Sequence, residues 1–455
     1  MKTRWFRCLS VLLSAVLLFS LCAVSLTGCS EKNAATELAV VQPTLPEAVR
    51  SPGENASDEE YDAWQTYSET RLAAAKGNTK AMRAFYKKTL AQVLGASDAA
   101  KKDAEENAVY SPVNVYLALA MLAETTDGDS RQQILDLLGE KDLSALRKRV
   151  GNLFTANYQD DGVATTLLAN SLWMNESVQY TQKTVDAIAE KHMASVFSGK
   201  PGTPEMDKAL HSWINEQTKD LLKEQAESLT LDPATVLALV STLYLKAPWA
   251  DPFEEANTKQ ETFYAPAGEK TVDMMHTSET MGYYSGDAFE AVAVPLKNSG
   301  YMWFFLPKKG STAGDLTADK QVLKLLTAPD SYKNFSYPQV NLTLPKMDAV
   351  SDRDLIDDLL ALGVTDVFDA AKSNFSPLMK DADGIFVSQV KHAARVKTDE
   401  EGVEAAAFTA ILLEKASMPI DFVDFTVDRP FFFAVTGYTG DLLFTGVIND
   451  PAPQA

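Results

Sequence analysis

Residues 111–123 read SPVNVYLALAMLA, and this stretch constrains the fold more than any other. Pro112 suits the first turn of a helix, where its missing N–H leaves no bond unmade and its φ is already helical. The residues after it are apolar on nearly every face of a 3.6-residue repeat, so this helix has no side fit for water. It must be covered all round, which demands layers both in front of it and behind it. The chain has 455 residues, 46% of them hydrophobic, ample for such a core.

The remaining segments alternate between two periodicities. Ser57 with Glu60 forms a capping-box pattern that opens a short helix through Arg71. Met82, Phe85, Tyr86, Leu90, Val93 and Leu94 fall on one face of a stronger helix that Gly95 ends. ATTLLANSLWM, TVLALVSTLYL, FEAVAVPL, YMWFFLP and VNLTLP are branched, aromatic and apolar, and read as strands. QKTVDAIAEKHM, MDKALHSWINEQTKDLLKEQ and SDRDLIDDLLALG read as helices, the last closed by Gly363. FFFAVTGYTGDLLFTGVI reads as a hairpin around GYTG. No internal repeat and no linker follow residue 80, so residues 80–455 are expected to form one α+β domain.

The first 28 residues are expected to be an export signal, with Lys2, Arg4 and Arg7 ahead of the apolar run LSVLLSAVLLFSLCAVSL. That run is nearly long enough to span a membrane. The ending LTGC decides for export, because it resembles a bacterial lipobox, in which the cysteine is lipidated and becomes the mature N-terminus. Cys29 is therefore the expected membrane anchor, on the outer face of a bacterial cell membrane, and a multiply acylated cysteine holds firmly. Residues 29–79 are read as anchor and tether: Ala, Pro, Ser, Asn and Glu over residues 30–57 suit a flexible connection. All three cysteines, Cys8, Cys22 and Cys29, lie in this segment, so the exported domain has no disulfide, no thiol nucleophile and no thiolate metal site. The net charge of −20, which loses Lys2, Arg4 and Arg7 with the signal, is ill suited to phosphate backbones and argues against nucleic acid.

Enzyme chemistry finds little support. His192, His211, His276 and His392 lie in no metal-ligand spacing, and HExxH, GxSxG, the phosphate-binding loop and GxGxxG are all missing. Paired carboxylates such as Asp357–Asp358 or Glu400–Glu401 fit a solvated face in so acidic a chain. A glycosidase pair need not be adjacent in sequence, but nothing points to one. No cofactor is implied.

From residue 80 to 451 the sequence resembles the serpins, serine-protease inhibitors of the loop-insertion type. NAVYSPVNVYLALAML resembles the family's Asn-x-x-x-Ser-Pro helix opening, LLANSLWM its Ala-Asn-Ser strand, and LALVSTLYLKAPWADPF its strand into Lys-x-x-Trp-x-x-x-Phe. VDMM, VNLTLPKM, LLALGVTDVFDAAKSNFSPL and DRPFFFAVTGYTGDLLFTGVIND follow in the family's order. The resemblance implies three β-sheets with eight to nine helices and an exposed reactive loop. It also implies a hinge at Glu400, Glu401, Gly402, Val403, Glu404, Ala405, Ala406 and Ala407. A protease attacks such a loop, and the loop then inserts into the largest sheet before deacylation, dragging the acyl-enzyme with it. Trp249 is implied at the breach, where the sheet first opens.

The residues suit that task. Positions 403, 405, 407, 409, 411 and 413 are Val, Ala, Ala, Thr, Ile and Leu, an uncharged face for a strand entering a core. Burying Val403, Ile411 and Leu413 returns about 5–9 kcal/mol, at about 1.5–3 for each. Gly402 is expected to supply the dihedral change at the turn, and no proline interrupts the run before Pro419. EEGVEAAAFTAILLEKA alone would equally suit an alanine-rich helix; its flanking motifs decide for the loop.

Some positions depart from the family. Val403 replaces the usual Thr or Ser, and Ala393 the usual Lys after His392. Asn114 stands for Ser, and Ser241 for Asn. The last two exchanges look complementary, so Ser111, Asn114, Ser241 and His392 are expected to form one polar shutter cluster under the opening point. The usual spacing puts the scissile bond at Ala416–Ser417, which suits an elastase- or subtilisin-like pocket. The loop is about three residues longer than usual, which keeps Lys415 and Met418 open. The expected partner is a serine protease, trapped covalently by a monomer. The alternative is a non-inhibitory serpin-fold surface binding lipoprotein.

Overall fold

A computed structural model describes residues 34–53, 55–95, 106–403 and 421–452. Its strands form three sheets. The largest, sheet A, contains β1 (Ala39–Val41), β2 (Gln159–Asp160), β3 (Thr165–Asn175), β4 (Ala194–Gly199), β5 (Leu237–Pro248), β6 (Met347–Asp354), β7 (Lys391–Thr398) and β8 (Gly402–Val403). Their order across the sheet is β1-β4-β3-β5-β8-β7-β6, with β2 on the upper end of β3. The second sheet runs Phe335–Ser336, Gly282–Ser285, Phe289–Pro295, Tyr301–Pro307, Phe431–Thr436, Leu442–Ile448, Ala108–Tyr110. The third sets Phe422–Thr426, Gln339–Pro345, Gly268–Thr280 and Lys259–Ala265 side by side.

Among the described residues there are twelve α-helical segments, eight of them eight residues or longer. Those used below are α1 (Ala34–Leu38), α2 (Asp58–Ala75), α3 (Asn78–Leu94), α4 (Pro112–Thr125), α5 (Leu143–Asn157) and α6 (Pro204–Thr218). The all-apolar helix is α4: Ser111 caps it, Pro112 opens it, and nearly every residue is buried between β5 and the second sheet. The six apolar residues expected on one face of α3 are all buried. The capping box at Ser57 and Glu60 closes in both directions, at 3.3 and 2.7 Å, and α2 continues past Arg71 to Ala75.

Two segments differ from the sequence reading. SDRD belongs to β6, not to a helix; Arg353 and Asp352 are paired with His392 and Ala393 of β7, and the helix starts only at Ile356. A neighbouring strand that can be met only in three dimensions overrides the local helical pattern. MDKALHSWINEQTKDLLKEQ is broken after Thr218, where Lys219 and Asp220 take φ of 50° and 64°, and resumes at Lys223–Ser228.

Residues 34–53 lie along the domain. β1 adds an edge strand to sheet A beside β4, and α1 packs on α6 with Ala35 buried. Gln42 accepts a bond from the Ser195 hydroxyl at 2.9 Å, and Ser51 N–H bonds the Asp161 carbonyl at 2.9 Å. Cys29 is outside the described residues. No helix among those described is long and apolar enough to cross a membrane.

Candidate functional site: the hinge and the slot in sheet A

β7 ends at Thr398 and the chain reverses at once into β8. Asp399 makes that reversal rigid: its Oδ1 accepts the N–H groups of Glu401 and Gly402 at 3.0 and 3.3 Å, and its own N–H bonds Gly402 O. β8 then enters between β7 and β5, with Val403 paired to Thr398 on one side and Ala247 on the other, and Gly402 paired to Pro248. Val403 is 2% exposed, so its side chain already occupies the core.

Gly402 is glycine for a reason other than the one read from sequence. Its φ is not positive. A Cβ there would lie 2.4 Å from Ala247 O and 2.6 Å from Pro248 Cα, so the backbone of β5 lies where any side chain would start. Close approach requires glycine here, and the dihedral does not.

The rest of the breach clamps this hairpin. Trp249 is fully buried, donates Nε1–H to Asp399 O at 2.8 Å, and bonds Glu401 O through its backbone N–H at 2.9 Å. Phe253 N–H bonds Glu400 O at 2.9 Å, with its ring 5.9 Å from Trp249. The Glu400 carboxylate accepts from Lys346 Nζ at 2.7 Å and Thr258 Oγ1 at 2.6 Å. Burial pushes its pKa up, but these bonds outweigh that and hold it below the ordinary carboxylate value. Asp399, Lys346 and Thr258 were not singled out from sequence. An Asp three residues before a glycine is a turn signal that could have found the first.

Below β8, no strand among the described residues lies between β5 and β7, which β8 alone joins. A cavity of about 880 Å³ opens there, lined by Leu239, Ser241, Thr242, His392, Ala393 and, from α4, Asn114. Of the expected shutter cluster, Ser111 is the member that bonds two others, and its N–H donates to His392 Nε2 at 3.2 Å. That fixes Nε2 as an acceptor and the ring as neutral. Ser111 Oγ accepts the Asn114 N–H at 3.3 Å and donates to Leu443 O at 2.7 Å. Burial first, then the Arg353 charge, lowers the His392 pKa to about 4. Asn114 and Ser241 face the same cavity, but the exchanged pair is not bonded: among the described residues, Ser241 Oγ and Thr242 Oγ1 are buried without partners. Glu404, Ala405, Ala406 and Ala407 of the hinge, and Lys415, Ala416, Ser417 and Met418, fall outside the described residues. The chain is described again from Asp421, which leads into the Phe422–Thr426 strand of the third sheet.

The family model for serpins (serine protease inhibitor) matches residues 91–451, through both the slot and the hinge. The chain belongs to the serpin family. Human serpin B4 is 29% identical over 77% of this chain and 95% of its own, and serpin-Z1C of Triticum aestivum is 29% identical over 77% and 91%. Among solved structures, the thermophilic serpin tengpin in its native state superposes with a TM-score of 0.70 at 21% identity, covering 90% of this serpin and 100% of tengpin. Thyroxine-binding globulin in complex with thyroxine has a TM-score of 0.69 at 21% identity, covering 82% and 100%. Serpins are in general inhibitors of serine proteases. Residues 34–77, with α1, β1 and α2, precede the matched region.

Proposed function

We propose that this serpin is an irreversible suicide-substrate inhibitor of serine proteases. The protease serine attacks the Ala416 carbonyl, an ester forms, and the bond to Ser417 breaks with its nitrogen taking a proton from the protease histidine. The loop then inserts as a full strand of sheet A before water can cleave the ester.

One observation carries this reading: β8 is already seated between β5 and β7, and its register continues into the open slot. Val403 opposite Ala247 and Thr398 puts Thr409 opposite Ser241 and His392, and Leu413 opposite Leu237. Thr409 would bring a hydroxyl beside the unpartnered Ser241 Oγ. The residues that face the core along this register are those whose face carries no charge.

A small residue at Ala416 favours an elastase- or subtilisin-like target, with Lys415 and Met418 as alternative sites of attack. The protein acts as a monomer, held by lipidated Cys29 to the outer face of a bacterial cell membrane. The test is a denaturing gel after mixing with elastase or subtilisin. A band at the summed mass that survives detergent is expected, with a released peptide starting at Ser417. Thyroxine-binding globulin, named for its ligand, has this same fold, which keeps a non-inhibitory surface binding protein as the second reading. Only clipped inhibitor on the gel would favour it.

A further inference from the structure

The Phe422–Thr426 strand carries a side chain that its fold does not need. It lies at the edge of the third sheet, paired in parallel with Gln339–Pro345. Alternation sends Phe425 into the core, 2% exposed, together with Val340 and Leu342 of the neighbouring strand. Phe422 has the opposite parity and is 67% exposed, more than any other large apolar side chain among the described residues. A lone exposed ring is ordinary; its surroundings and its place in the chain are not. Two rows of side chains cross the outer face beside it: Thr280, Gln339 and Phe422, then Ser278, Asn341 and Asp424. Thr280 Oγ1 donates to Gln339 Oε1 at 3.2 Å, and Gln339 Nε2 donates to Ser278 O at 2.7 Å. Ser278 Oγ donates to Asn341 Oδ1 at 2.7 Å, and Asn341 Nδ2 donates to Asp424 Oδ1 at 2.8 Å. Exposed side chains ordinarily sample several rotamers, and a partner must offset the loss of that freedom. Bonds across these strands hold the polar groups in place beforehand, with the exposed Asp424 carboxylate one row from Phe422.

Position in the chain supplies the partner. With attack at the Ala416 carbonyl, Phe422 stands six residues further on, on the side of the leaving amine. Six residues span at most about 20 Å, whereas a protease of roughly 230 residues is about 45 Å across. A protease closed on that bond therefore overhangs the strand. We propose that the outer face of the third sheet is a docking surface for the attacking protease, with Phe422 as its apolar anchor and Asp424 as its charge. The partner it fits is a serine protease whose rim, on the leaving-group side of the cleft, offers an apolar hollow beside a Lys or Arg. The net charge of −20 draws a cationic protease of this kind towards the serpin, and ring and carboxylate then fix how it sits. This rests on attack near Ala416 and does not need the trapping step.

The test is the second-order rate at which a cationic elastase attacks the loop, read on gels as trapped plus clipped inhibitor. Phe422→Ala should lower this rate about tenfold. Asp424→Asn, which keeps an acceptor for Asn341, should lower it about threefold at low salt and leave it unchanged in about 1 M salt. The ratio of trapped to clipped inhibitor and the melting midpoint should stay those of the parent, because neither insertion nor folding uses the outer face. Phe386→Ala, at an exposed ring beyond the end of β7 away from the hinge, should leave the rate of attack unchanged. A rate within twofold of the parent for Phe422→Ala overturns the docking surface. So does a loss of rate matched by a fall in the melting midpoint, since the ring would then serve to hold its own strand. If the parent yields clipped inhibitor alone, the inhibitory reading fails, while the effect of Phe422→Ala on the rate of clipping still decides the docking surface.

Discussion

His392 shows how a single residue at the slot links chemistry to stability. Its ring is neutral and buried, with Nε2 accepting the Ser111 N–H and Tyr110 edge-on at 5.4 Å. A folded pKa of about 4 against an ordinary 6.5 means the unfolded chain takes up a proton that the fold refuses. The neutral ring's contribution is thus complete above about pH 6.5 and is lost progressively as pH falls towards 4, by at most about 3 kcal/mol. Denaturation midpoints measured across pH 4–7 should fall with acid in the native sequence and fall less in His392→Gln. Equal slopes would mean other groups set the acid sensitivity. Gly402 gives a second test at this scale. In Gly402→Ala the new methyl meets Ala247 O at 2.4 Å, so β8 should leave its seat. Trapping by this variant should drop severalfold in favour of clipping, and unchanged partition would show that the hinge need not be pre-seated.

At the scale of elements, the inserted strand has two unlike faces, and register alone tells them apart. Val403 points to the α4 side, as do Ala247, Ser241 and His392 at matching parity, so Ala407 follows them and Ala406 does not. An aspartate at 407 would be buried unpaired, at a cost of several kcal/mol, while at 406 it would lie on the opposite face. Ala407→Asp should therefore turn the inhibitor into a substrate, and Ala406→Asp should keep most trapping, read as the number of inhibitors consumed per protease stopped. If the two behave alike, the register is wrong. The alternation behind this prediction is a local pattern and can be read from sequence; α4, whose apolar surround leaves it one place to go, and the central strands were legible in the same way. What escaped reading depended on partners far away in sequence. SDRD is polar and helix-like until β7 lies beside it. β1 has three residues, too few to show a period, inside a stretch whose composition suits a tether. Asp399 is one more acidic residue until its carboxylate is seen across the turn from Gly402. The Asn114–Ser241 exchange put both residues on one cavity, but complementarity of residue types does not fix a hydrogen bond, and Ser241 waits unpartnered.

For the whole molecule, the gap between β5 and β7 among the described residues is surface that a further strand could bury. Among the described residues, β5 and β7 meet through two residues of β8, with a cavity of about 880 Å³ below them beside polar atoms that have no described partner. Filling it with residues 404–413 would bury Ile411 and Leu413 for about 3–6 kcal/mol and add strand hydrogen bonds of about 1 kcal/mol each. The described chain on either side of this segment is held, by β8 in sheet A and by the Phe422–Thr426 strand paired in parallel with Gln339–Pro345, and two fixed ends oppose that gain on the proposed inhibitory reading. Cutting between these holds frees one end. Cleavage near Ala416 should consequently raise the thermal midpoint by on the order of 10 °C, taking a gain of about ten kcal/mol at about 1 °C for each in a domain of roughly 370 residues. Calorimetry before and after limited proteolysis measures this directly, with mass spectrometry to place the cut. A clipped protein melting where the intact one does would mean that the slot stays open and that β8 is a finished structure, with no strand to follow it.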